Sequence, residues 1–397
     1  MKTLFRNVHL YLSLGAGLVI AIVCFTGATL VFEKEWQQLF YPERYRVEAG
    51  TQRVSLQRMM AGLREKVPGA EVSSVKVYGD PTRTVELSFS DEKGNASQRE
   101  AGRNREPGKE KGTPNGNHGP SGGREGRPGG NQQAFVNPYT GQTVGVSSQR
   151  SPFFSTMFSL HRWLLMGDAG KMIVGVSTLL FLFILMTGIV LWWPQNKKIL
   201  KQRLALRLNA GWKRLNHDWH VVLGFYSALF LFTFAFTGLA WSFKWFNDGI
   251  YWVTGTESKR PDPPLSVFRE GMVPISFDQA FRVAEDRMPR AEYYTINRPK
   301  EAEASVSVTV MPGDAAHERA THQLFLDQYS GQPVGQLRYG ERNLGARVRA
   351  LFYPVHVGSI AGLPGRIVAF GVCLAGMTFP VTGMIAVLLV LPVGNWR

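Results

Sequence analysis

Eight histidines occur in the chain, and four of them recur in a fixed frame. His9 is followed by Thr26-Gly27, and His220 by Thr237-Gly238 at the same spacing. His161 is followed by Gly167, Gly170, Lys171 and then Thr187-Gly188; His356 is followed in step by Gly362, Gly365, Arg366 and Thr382-Gly383. A pair of imidazoles brought together from two facing helices suits axial ligation of the iron of a low-spin, b-type heme. Cys24 and Cys373 each stand inside an apolar run, so no disulfide framework, Cys-based zinc site or iron–sulfur site is available. The chain has no Cys-x-x-Cys-His, which excludes covalent c-type attachment. Zinc is a weaker reading, because it wants three or four convergent ligands and no acidic cluster accompanies these histidines. The plainer alternative is an interfacial His that caps a helix end or meets lipid headgroups. Four histidines at matched offsets within one chain weigh against it, since polar groups at membrane depth are costly.

Membrane helices must position these residues. The chain has 397 residues, and its mean hydropathy of -0.10 averages very apolar stretches with polar ones. Four runs are long enough to cross a bilayer, which needs about 20 apolar residues: Val8–Phe32, Met172–Trp193, Trp219–Phe243 and Ile367–Leu391. The first run is too long for a signal-peptide core, and Glu-Lys-Glu-Trp follows it in place of a small-residue cleavage site, so a retained helix is expected. The loop 194–216 carries seven Lys and Arg and no acid, which predicts a cytoplasmic location. Both termini then share that side, and the long segments 33–171 and 244–366 face outward, into the periplasm of a Gram-negative cell. Much of the net charge of +15 is therefore an orientation signal and no nucleic-acid footprint. Within the first outer segment, 94–131 is rich in Gly, Pro, Asn, Arg and Glu. It is expected to be a disordered loop with a solvated His118.

This topology pairs His9 with His220 at the inner face and His161 with His356 at the outer face, one heme near each. His9 and Gly27 are separated by about 27 Å of helix, so Thr-Gly lies near the opposite face, where its expected role is close helix packing. His217, three residues before His220, is an auxiliary candidate: an alternative ligand, a supporting group or a proton relay. Arg162, Arg342, Arg347 and Arg349 flank the outer histidines, and Arg matches carboxylates such as heme propionates or an anionic chelate. Trp241, Trp245, Tyr251 and Trp252 read as an interfacial aromatic belt. His317 and His322 are expected to have no metal role.

The outer segments also repeat. Ser55, Pro68, Ala70 and Glu71 match Ser276, Pro289, Ala291 and Glu292; Phe135–Gly145 matches Phe325–Gly335 around Tyr139-Thr-Gly141 and Tyr329-Ser-Gly331. The two sets of matches are out of step by roughly the length of 94–131, which marks that stretch as an insertion in the first copy. Each copy reads as a helix (Ser55–Lys66, Ser276–Met288) followed by strands (Val72–Tyr78, Thr84–Ser90, Ser305–Val310) and a glycine hairpin turn.

The Phe-x-(Asn/Asp)-x-Tyr-(Thr/Ser)-Gly-x-x-Val turn resembles the PepSY domain. The helices with His, Thr-Gly and Gly-x-x-Gly-(Lys/Arg) resemble the PepSY-associated transmembrane family. The resemblance implies a tandem repeat that builds a bundle of four transmembrane helices with two α+β periplasmic PepSY-like domains. The expected division is a first helix at 1–32 and a first domain at 33–151, then 152–193, the loop 194–216, and a third helix at 217–243. A second domain at 244–350, a segment 351–391 and a tail 392–397 complete it. The family includes inner-membrane ferric-siderophore reductases with b-type hemes. That implies an oxidoreductase that reduces a ferric siderophore in the periplasm and takes electrons from a quinol or a cytoplasmic reductase. The chain carries no Gly-x-Gly-x-x-Gly unit for a dinucleotide of its own. The alternative is a membrane-anchored module that binds or regulates a peptidase, without redox activity. It leaves the four matched histidines unexplained.

Overall fold

The computed structural model describes residues 2–90, 132–148, 150–259 and 261–390. The low-complexity stretch with His118 lies outside them. The chain divides into a helical unit, from 1–33, 152–253 and 348–397, and a sheet unit, from 34–151 and 254–347.

The helical unit holds four helices long and apolar enough to cross a membrane: Lys2–Val31, Gly167–Trp192, Trp212–Ser242 and Ser359–Leu388. Each begins before its apolar run, by about one to two turns. The run marks the depth of hydrocarbon, whereas helical hydrogen bonding carries on into the polar flank until a glycine or a turn stops it. Large apolar side chains such as Leu18 and Leu229 remain 75% and 72% exposed, as on a lipid-facing surface. Small residues draw the helices together. Gly17 sits under Pro380 of the fourth helix, where an added Cβ would lie 3.2 Å from that ring. Cys24 of the first helix lies against Gly376 of the fourth, and Cys373 of the fourth lies against Gly27 of the first. The thiols therefore fill the helix crossing reciprocally as small apolar groups.

The sheet unit differs from two separate domains. Its strands are β1 (Glu71–Tyr78), β2 (Val85–Ser90), β3 (Gln132–Val136), β4 (Thr143–Ser148), β5 (Ala291–Asn297), β6 (Val306–Pro312), β7 (His322–Leu326) and β8 (Pro333–Leu337). They form one eight-stranded antiparallel sheet in the order β4-β3-β2-β1-β5-β6-β7-β8. The two outer segments join through β1 and β5, with Val75 opposite Ile296. Each segment's first strand would otherwise be an unpaired edge carrying Val75, Val77 or Ile296, and pairing the edges removes that hazard. One face is packed by the helices Leu56–Lys66 and Phe277–Arg287, with Met59, Leu63, Phe277 and Ala284 buried on Val75, Leu87, Ile296 and Leu324. Ser55 caps the first helix by accepting from Arg58 N, and Ser276 forms a reciprocal capping box with Gln279. Asp278 of the second helix accepts from Leu56 N and Gln57 N, at 2.7 and 3.0 Å, and so caps the helix of the other segment. Gly141 and Gly331 adopt φ of 77° and 71° in the two hairpin turns.

The boundaries expected at 244 and 350 also shift. The helix Lys244–Val253 belongs to the helical unit, because it is amphipathic and packs Phe246 on Phe236 and buries Tyr251.

Candidate histidine-paired cofactor site

The four repeated histidines are held by one device. His9 Nδ1 donates to Ile184 O at 3.0 Å and lies 3.1 Å from Thr187 Oγ1. His161 Nδ1 donates to Val23 O at 3.0 Å and lies 3.1 Å from Thr26 Oγ1. His356 Nδ1 donates to Phe234 O at 2.9 Å and lies 3.1 Å from Thr237 Oγ1. His220 Nδ1 lies 2.9 Å from Thr382 Oγ1, with a backbone hydrogen bond to Phe379. Every anchor is the Thr of a Thr-Gly pair plus the carbonyl three residues before it, on a neighbouring helix. The glycine seats the ring: a Cβ at Gly188, Gly27, Gly238 or Gly383 would lie 3.3, 3.2, 3.4 or 3.1 Å from the Cε1 of His9, His161, His356 or His220. The expected role of Thr-Gly as plain helix packing is thereby corrected. The pair is a socket for an imidazole.

The socket fixes the tautomer. A carbonyl only accepts, so Nδ1 carries the proton and Nε2 keeps its lone pair. A backbone carbonyl on the far nitrogen is also the usual support of a metal-bound imidazole.

The rings meet in twos. His9 and His220 have ring centres 6.5 Å apart at 88°; His161 and His356 have ring centres 6.1 Å apart at 69°. Two imidazoles bound to one ion through bonds of about 2.1 Å each put their ring centres roughly 6 Å apart. Among the described residues, no group of three or more His, Cys, Asp or Glu gathers. Two imidazoles on one ion suit a site where a macrocycle supplies the other ligands, as heme does. In this chain His9, His220, His161 and His356 would hold such groups.

The supporting elements explain the Gly-x-x-Gly-(Lys/Arg) pattern. Gly167 and Gly362 take φ of 58° and 63° where each helix turns into its span. Gly170 and Gly365 leave no room for a Cβ, which would run into the carbonyl oxygens of Trp163 and Gly358. The short helices that carry His161 and His356 are thus pressed onto the spans that follow. Leu164 and Leu165 adopt left-handed φ of 50° and 60° directly after His161's helix, a strained turn for side-chain-bearing residues. His220 sits in a π-helical turn, Trp219–Leu223, an irregularity frequent at functional sites.

Aromatic rings line the pairs: Trp241 is 5.4 Å from His356, and Phe379 is 5.7 Å from His220. Arg349 stacks on Trp241 at 4.7 Å and donates to Asn247 Oδ1 at 2.8 Å. Arg162 lies over the Phe158 ring at 5.9 Å, beside His161 in sequence. Arg342 lies in the sheet unit, where it donates to Thr321 O at 2.6 Å, and Arg347 rides on the helix Leu344–His356, its carbonyl accepting from Tyr339 OH at 3.3 Å. His317 and His322 are held in the same unit, His317 by Tyr339 OH at 3.0 Å and His322 Nδ1 by Tyr339 N at 3.1 Å. Burial lowers the pKa of both imidazoles.

His217 stands outside its pair. Its side chain is 55% exposed, and its Nδ1 is 3.4 Å from Asp218 Oδ1. Asp218, which the sequence reading passed over, is buried and pairs with Arg214 at 2.7 Å. Its signal was visible: it is the one acid between the basic loop and the third apolar run.

No match to the chain was found among curated proteins. The family described as the PepSY-associated TM region matches residues 6–388. That span takes in three of the four long helices, all but the first turn of the other, and the whole sheet unit, so the chain is a multi-pass membrane protein that belongs to the PepSY-associated TM region family.

Proposed function

We propose that this protein is a bacterial inner-membrane oxidoreductase that carries two b-type hemes and reduces a ferric siderophore in the periplasm. Electrons enter from a quinol or a cytoplasmic reductase, at the face the basic loop 194–216 assigns to the cytoplasm. In this reading the chain is a tandem repeat of two copies, each with two spans and one PepSY-like half of the sheet. The observation that carries it is the matched pair geometry: ring centres 6.5 and 6.1 Å apart, with each Nδ1 held by a threonine socket. Heme, when bound, supplies one-electron exchange. The chain's own part is to hold each Nε2 ready and to keep the rings from turning. Apolar helices surround each pair, which lowers the local dielectric and strengthens every fixed dipole there. Arg162 is suited to a heme propionate or an anionic chelate at the outer pair. Reduction of iron(III) to iron(II) loosens its hold on hard oxygen ligands and frees the metal.

The test is reduction itself. Chemically reduced protein mixed with a ferric siderophore and a ferrous-specific trap is expected to develop the trap's colour, while His161→Ala with His356→Ala should abolish it. Absence of ferrous iron with every ferric chelate tried would sink the substrate assignment. A peptidase-regulating module gives no account of four socketed histidines, and nothing in the geometry favours it.

A further inference from the structure

The face of the sheet turned away from its two helices carries two cationic side chains whose hydrogen-bonding capacity is not filled, Lys76 at its ammonium and Arg83 at its Nε alone. Lys76 projects at the centre of the β1–β5 seam. Its ammonium lies 4.0 Å from the centre of the Tyr293 ring and 4.6 Å from that of Tyr78, and the two rings meet edge to face at 6.0 Å. Glu86 stands opposite Lys76 in register and attracts it through space, but its oxygens point to other donors. Tyr78 OH and Gln133 Nε2 donate to them at 2.8 Å each, and Arg83 lies 3.6 Å away. Among the described residues no acceptor pairs with the Lys76 ammonium, and burial pushes its pKa below the usual lysine range. Arg83 is stacked 4.1 Å over the other contact of this box, Tyr78, with its side chain 18% exposed. Its Nε is buried without a hydrogen-bond partner.

A desolvated cation is costly unless an anion or a hydrogen-bond acceptor meets it. Tyrosine rings recover part of that cost through cation–π attraction, but they cannot accept from Arg83 Nε in its plane. A ligand with anionic oxygens would meet both the Lys76 ammonium and Arg83 Nε, and the two rings favour a flat aromatic carrier for them.

We propose that Lys76, Arg83, Tyr78 and Tyr293 form a binding site for the catecholate ring of an anionic ferric chelate. The substrate class rests on the ferric-chelate reading above; the demand for an anion rests on the residues alone. Lys76, Tyr78 and Arg83 come from the first outer segment and Tyr293 from the second, so the site exists only because β1 pairs with β5. A hydroxamate chelate, lacking both the ring and the net negative charge, is not selected by it.

The experiment is equilibrium dialysis of the full-length protein in detergent, oxidised and without electron donor. The probes are ferric tris(2,3-dihydroxybenzoate) and, in parallel, a ferric trihydroxamate. Lys76→Met is expected to weaken catecholate binding about tenfold or more, Lys76→Arg to retain most of it, and neither to change trihydroxamate binding. Tyr293→Leu gives an independent reading should Lys76→Met fold poorly, and it too should weaken catecholate alone. Catecholate binding by Lys76→Met and Tyr293→Leu equal to that of the parent overturns the site, as does a parent protein that binds no catecholate or an equal loss for both chelates. Binding is read without reduction, so the two readings fail separately. Lys76-dependent binding by a protein that reduces nothing keeps the site and removes the electron-transfer role. Lys76-independent binding by a protein that does reduce the chelate does the reverse.

Discussion

At the residue scale, what distinguishes these histidines is that each is held at Nδ1, which leaves the ring's lone pair on Nε2. The spacing of His and Thr-Gly was legible in the sequence, and so was the partition of four histidines into two same-end pairs. The socket was not, because its halves lie on different helices: His9 is held by Thr187 and His161 by Thr26, and no local pattern says which helix faces which. The socket makes a graded prediction. Gly383→Leu drives a side chain into the Cε1 of His220 and should empty that pair while leaving His161 and His356 loaded, as heme content by absorbance will show. Thr26→Val removes a hydroxyl but keeps the Val23 carbonyl. It should hold its heme and lose only about 0.5–1.5 kcal/mol of stability, the net value of a typical hydrogen bond, measured as a lower midpoint in heme-release titration.

At the scale of elements, the apolar runs located four spans, and composition alone set their limits too narrowly. Periodicity and Ser caps located the helices of the sheet unit to within a residue, Leu56–Lys66 and Phe277–Arg287 against expected starts at Ser55 and Ser276. The short helix before each second span is what the glycine pattern exists for. Gly170→Val would push against the Trp163 carbonyl, lifting the turn that carries His161. It should cost the His161–His356 heme and spare the His9–His220 one, in contrast to Gly383→Leu; loss of both would show that the short helix also governs the far end. Asp278→Ala, which uncaps the helix Leu56–Lys66, should lower stability by about 1 kcal/mol, followed by thermal melting of the full chain.

At the scale of the molecule, two outer segments that read as two domains make one sheet. Alternation of apolar residues tells which face of a strand is buried but is silent on its neighbour, so a β1–β5 seam across more than 200 positions of sequence left no local signal. The seam carries weight in packing, since Ile296 is fully buried within it, opposite Val75. Ile296→Ala should destabilise the sheet unit by about 2–5 kcal/mol, visible as earlier proteolysis of the full chain, and should leave heme content unchanged, because the imidazoles and their sockets all lie in the helical unit.

The central claim is that the helical unit holds two hemes, one per histidine pair. The direct measurement is heme per chain in purified protein, with the reduced absorption spectrum, for the parent, His9→Ala and His356→Ala. Two hemes with a b-type spectrum in the parent, and one remaining in each variant, is the predicted result. A colourless parent protein from heme-replete cells, or the full complement of heme in both variants, would contradict it.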